Sequence, residues 1–152
     1  LSRCSYSAGR EHERKEQAKA VAKAEKVIAK KTEQAENITQ KVAEKVAEKQ
    51  IEYRTITKTL VKEVPRYVPV EADAKCVLPV GFVRLHDTAA AGSPTLPIGP
   101  GGYLQAPSGI ELSTATETIV ANYGIAHEWR AEAEGWRAWY AQQKDAWSEP
   151  PR

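Results

Sequence analysis

At 152 residues and 16.8 kDa, with 22 basic and 20 acidic side chains interleaved for a formal net charge of +2, the chain is long enough for one domain but has no concentrated basic face. Nucleic-acid binding is left without an electrostatic footprint. No run approaches the roughly 20 consecutive apolar residues of a membrane span, and the 41% hydrophobic content holds a single Phe, no Met and much Ala. Such a composition suits long, thin helical packing better than a thick core.

The first element predicted is a helical rod over residues 1–50. From Gly9 to Gln50 the chain is rich in Ala, Glu, Lys and Gln, with no Pro and no Gly after Gly9, and these are strong helix formers. Val21, Ile28, Ala35 and Val42 recur every seven residues, and Ala18, Ala24, Ile38 and Val46 form a partial second row. This is a narrow stripe of coiled-coil type, and it predicts a homo-oligomer formed through the N-terminal helix. Lys31 and Lys45 interrupt the second row where apolar residues belong.

Residues 51–75 are predicted to be an extended connector, because Thr, Ile, Val and Tyr favour extended backbone and Pro65 and Pro69 oppose helix. A C-terminal module follows over residues 76–149. It opens with the apolar segment 76–92, CVLPVGFVRLHDTAAAG, read as a structural knot: an extended entry, a turn near Pro79 and Gly81, and a short helix capped by Asp87. Phe82, Val83 and Leu85 are expected to pack on the C-terminal helix, with His86 and Asp87 as polar satisfiers. Residues 93–109, dense in Pro and Gly, predict a turn-rich loop.

A long amphipathic helix is predicted over 114–147. Thr114 and Glu117 have capping-box spacing. Ile119, Ala126, Ala133, Tyr140 and Trp147 repeat at seven, beside a row of Asn122, Trp129, Trp136 and Gln143. Gly124 and Gly135 mark a bend or a close helix contact. Trp129, Trp136, Trp139, Tyr140 and Trp147 form a packing or partner face, since Trp and Tyr dominate interface energetics. Trp129 and Trp136 are expected inside, with Trp139 and Trp147 reaching outward. The fold class is thus mostly α: an elongated N-terminal helix, an extended middle arm with a turn-rich loop, and a long C-terminal amphipathic helix.

Catalysis finds no convergent set of residues. Cys76 and the His86–Asp87 pair could in principle supply a nucleophile and an oriented base, but no nucleophile elbow or phosphate loop accompanies them. His12, His86 and His127 fall in three separate segments without metal-ligand spacing, and Cys4 and Cys76 belong to no C-x-x-C pair. A non-enzymatic protein is expected, with no catalytic residues, no metal, no cofactor and no small-molecule substrate.

The blocks KEVPRYVPVEADAKCVLPVGFVRLHDTAAAG and SGIELSTATETIVANYGIAHEWRAEAEGWRAWYAQQK resemble the periplasmic portion of bacteriophage inner-membrane spanins, the Rz-like lysis proteins. The stretch from Tyr6 to Glu13 resembles the polar edge just outside their membrane anchor. The resemblance implies a protein held in the host inner membrane by an anchor preceding Leu1, with this portion in the periplasm. It implies an outer-membrane lipoprotein as partner, and disruption of the outer membrane by membrane fusion once the wall is degraded. The chain has Ala126 where many such proteins carry a cysteine soon after the Asn-Tyr pair, so a bridge from Cys76 to that helix is impossible. In the oxidising compartment implied, Cys4 and Cys76 are candidates for intermolecular disulfides. The alternative is a non-enzymatic coiled-coil scaffold or virion-associated protein.

Overall fold

The structure is a computed structural model that describes residues 2–93, 100 and 102–148, with side chains from residue 9 onward. Four helices follow in order: α1 Ser2–Tyr67, α2 Val70–Lys75, α3 Val80–Ala90 and α4 Leu112–Ser148, with a 3-10 turn at Tyr103–Gln105 between the last two. Among the described residues the only β-type pairing is a bridge between Pro79 and Pro107. The mostly helical class, with long first and last helices, is as the sequence predicts. The loop prediction is only partly addressed, because residues 94–99 and 101 lie outside the described residues.

The extended connector over 51–75 is corrected. Helix α1 runs through Tyr67 with Pro65 inside it, and α2 occupies most of the remainder. Three physical facts explain this. Adding residues to an existing helix avoids the cost of nucleation. The threonine hydroxyls bond back to the preceding turn, Thr55 Oγ1 donating to the Ile51 carbonyl and Thr59 Oγ1 to the Thr55 carbonyl, each at 2.9 Å, so neither competes with the helix. Pro65 lies in the last turn, where only one backbone bond is forfeited, next to Val64, which is buried at 4% exposure. Pro69 and Pro79 act as N-caps of α2 and α3 in extended conformation. They begin helices here.

The chain divides into two compact units. The first comprises Leu1–Glu48 and Ala131–Arg152, in which the beginning of α1 and the end of α4 run antiparallel. Trp139 Nε1 donates to Thr39 Oγ1 at 2.9 Å, and Gln143 Nε2 donates to the Ala35 carbonyl at 2.8 Å. The covered stripe of α1 is Val27, Lys31, Ala35, Ile38, Val42 and Val46. It repeats at eleven residues (27 and 38, 31 and 42, 35 and 46), close to the natural helical period, so the contact needs no left-handed supercoil. Gly135 is buried on the facing side, and a Cβ there would run into Val46 Cγ2.

The second unit is Lys49–Arg130. Its part of α1 keeps the eleven-residue spacing through Gln50 and Val61 and through Tyr53 and Val64. Tyr53 stacks on His127 with ring centroids 5.0 Å apart. Arg54 donates to Glu128 Oε2 at 2.8 Å, and this hydrogen bond and the carboxylate's charge hold the guanidinium above its usual value. Gly124 lies against Thr57, where a Cβ would stand 2.8 Å from Thr57 Cγ2. The two glycines of α4 mark close helix contacts.

Candidate functional site

The knot is built from backbone. The Val80 N–H donates to the Ala106 carbonyl and the Ser108 N–H to the Leu78 carbonyl, both at 2.9 Å, pinning Leu78–Val80 to Ala106–Ser108. Gly81 lets α3 approach the 3-10 turn, since a Cβ there would stand 3.0 Å from the Leu104 carbonyl oxygen. Arg84 places its guanidinium 4.9 Å from the Tyr103 ring centroid, a cation–π distance. Helix α3 ends in a Schellman arrangement. Gly92 adopts φ 63°, with the Ser93 N–H donating to the Thr88 carbonyl and the Gly92 N–H to the Ala89 carbonyl, both at 3.1 Å.

Two expectations for this segment change. Segment 76–92 closes on the 3-10 turn, and Phe82 and Leu85 stay largely exposed instead of being hidden, with Val83 half-buried. Asp87 sits inside α3, not at its start: a helix already begun by Pro79 needs no further cap within it. His86 and Asp87 touch, His86 Nδ1 lying 3.1 Å from Asp87 Oδ1. Cys76 is a half-buried free thiol. The side chain of Cys4 lies outside the described residues. Among the described residues no three His, Cys, Asp or Glu side chains gather as metal ligands.

Both ends of α4 are capped from elsewhere in sequence. At the start, the Ser113 N–H donates to Asp73 Oδ1 of α2 at 2.8 Å, an acceptor at the positive end of the helix. Helix α4 begins at Leu112, ahead of the expected Thr114–Glu117 box, because Asp73 supplies the cap. At the other end, Lys31 Nζ donates to the carbonyls of Ala146 and Trp147 at 3.2 and 3.0 Å. The lysine that interrupts the apolar row is the cation closing the helix C-terminus. Helix spacing alone contained no sign of either cap.

In the first unit a groove of ≈ 880 Å³ opens beside the helix pair. Thr32, Glu36, Thr39 and Ala43 of α1 form one wall, and Trp139, Tyr140, Lys144 and Trp147 of α4 the other. Trp139 is half-buried, fixed by its bond to Thr39 and edge-on to Trp136 at 5.6 Å. The expected sorting of the tryptophans is therefore corrected: Trp129 and Trp136 are exposed and Trp139 points inward, while Trp147 is half-exposed. The seven-residue stripe does not close the chain on itself. Ala35 and Val42 are partly covered, but Val21 and Ile28 are exposed.

No helix among the described residues is long and apolar enough to cross a membrane. Comparison with protein-family models, with curated proteins and with solved structures found no match.

Proposed function

We propose that this chain is the periplasmic portion of a phage inner-membrane spanin, a non-enzymatic lysis protein. It bridges towards an outer-membrane lipoprotein and promotes disruption of the outer membrane by fusion. The observation that supports the reading most is α1 itself. Its 66 residues give about 100 Å of helix measured along its own axis, and residues 9–26 of it carry no covered side chain. A long helix whose leading part is exposed, with a later helix bearing exposed aromatic side chains, suits a reach from one membrane to a partner near another. The knot quoted for the resemblance contributes a compact backbone-tied module next to that reach. The same helices also suit a coiled-coil scaffold, which remains the second reading.

The test is to recover the complete reading frame, express it with an epitope tag in a Gram-negative host and fractionate the membranes. The lysis reading predicts an apolar segment ahead of Leu1 and recovery with the inner membrane. A start at Leu1 with the product outside the membrane fraction supports the scaffold instead.

A further inference from the structure

We infer that the outward face of α4 in the first unit docks on the surface of an anionic phospholipid bilayer. Within that unit the covered side of the helix is Ala131, Gly135, Trp139, Gln143 and Ala146. The opposite side carries Trp136, Arg137, Tyr140, Lys144 and Trp147, which at the helical period share an arc of about 100°. Trp136, Tyr140 and Trp147 are 61, 66 and 50% exposed, and Arg137 and Lys144 are exposed beside them. Aromatic rings and cations on one exposed helix face suit the headgroup region of a membrane, where Trp and Tyr find water at one edge and acyl chain at the other.

Charge sets the sign of the partner. Glu132, Glu134 and Asp145 all fall outside the arc. Arg137 and Lys144 make no ion pair among the described residues. Glu134 stands three residues before Arg137, the spacing at which Glu16 pairs with Lys19 and Glu63 with Arg66 on α1, yet it leaves the guanidinium unpaired. Lys31 adds positive charge at the far end of the face, 5.9 Å from the Trp147 ring centroid. Glu36 belongs to the α1 wall across the groove and not to this helix. Cations next to an anionic lipid surface each strengthen binding severalfold.

Shape favours a lipid surface over other anionic partners. The three rings are spread over residues 136–147, about 16 Å of helix, on the convex side of a single element. A protein partner anchors aromatic side chains in pockets, whereas a bilayer is flat over that length and takes all three rings at one depth. Nucleic acid calls for a denser concentration of cations than this arc holds. The inference goes beyond the lysis reading and rests on this face alone.

Flotation of the 152-residue chain with phospholipid vesicles tests it. Vesicles of phosphatidylcholine with about one-third phosphatidylglycerol are expected to carry the chain at about 0.1 M salt and to release most of it at about 1 M. Pure phosphatidylcholine is expected to carry little. Tryptophan emission shifts to shorter wavelength on binding, as Trp136 and Trp147 leave water. Arg137→Glu combined with Lys144→Glu is expected to weaken binding at least about tenfold with unchanged far-UV circular dichroism, since both side chains are exposed. Lys23→Glu combined with Lys26→Glu, on an exposed stretch of α1, changes net charge equally and is expected to weaken binding less than about threefold. Failure to float with the anionic vesicles overturns the proposal, as does an equal loss in both double variants, which would assign the effect to net charge. Flotation without the emission shift overturns it too, and so does retention on polyglutamate beads without flotation, which assigns the face to an acidic protein. The chain tested begins at Leu1, so these outcomes are separate from the fractionation of the complete reading frame.

Discussion

Gly124 and Gly135 each sit at a close helix contact against a β-branched side chain, Thr57 and Val46. Alanine gains about 1 kcal/mol of helix propensity over glycine, but overpacking a close contact costs roughly 1–3 kcal/mol. Contact outweighs propensity here, because the Cβ would meet the branched carbons near the backbone and not a flexible side-chain tip. Gly124→Ala and Gly135→Ala are expected to lower stability by about 1–2 kcal/mol in urea unfolding. Gly9→Ala, whose Cβ meets nothing within 4 Å, is expected to be neutral or stabilising. Equal effects at all three positions would contradict the contact assignment.

Two further residues act as caps at a distance. Replacing Asp73 by Ala removes the acceptor for the Ser113 N–H, and replacing Lys31 by Met removes the donor to the last carbonyls of α4. Caps of this kind are worth about 1 kcal/mol. Hydrogen exchange is expected to quicken in the first turn of α4 for Asp73→Ala and in its last turn for Lys31→Met, each leaving the other end unchanged. Fraying at both ends in either variant would mean that the whole helix, and not a cap, had been weakened.

At the scale of elements, the existence and extent of α4 were legible in the alternation of Ile119, Ala126, Trp129 and Trp136, and its close contacts in the two glycines. Its inner face was not. The conspicuous heptad of aromatic residues is the exposed side, while the covered stripe is Ala131, Gly135, Trp139, Gln143 and Ala146 in the first unit and includes Val120, Ala121, Gly124, His127 and Glu128 in the second, mostly small or polar types that a search for apolar periodicity passes over. Small residues cover little area but let backbones approach, so they mark the contact more faithfully than large rings do. The connector was misread for a related reason. Local propensity opposes helix over residues 51–67, and burial of Val64 together with threonine back-bonding overrides it. Trp139→Ala is accordingly expected to cost about 3 kcal/mol, and Trp129→Ala less than about 0.5 kcal/mol, by thermal unfolding. The reverse order would restore the sorting expected from spacing.

For the molecule as a whole, a chain of 152 residues in which Val64 and Ala131 are the only described hydrophobic residues under a tenth exposed draws little stability from a core. Burial contributes in proportion to area removed from water, so a core this small contributes little.

The lysis role is tested most directly by outer-membrane rupture. The complete reading frame, produced with its lipoprotein partner and a wall-degrading enzyme in a Gram-negative host, is expected to release cytoplasmic contents promptly. Omitting the protein is expected to leave cells whose wall is degraded but whose outer membrane still holds. Outer-membrane failure at the same rate with and without the protein would contradict the account.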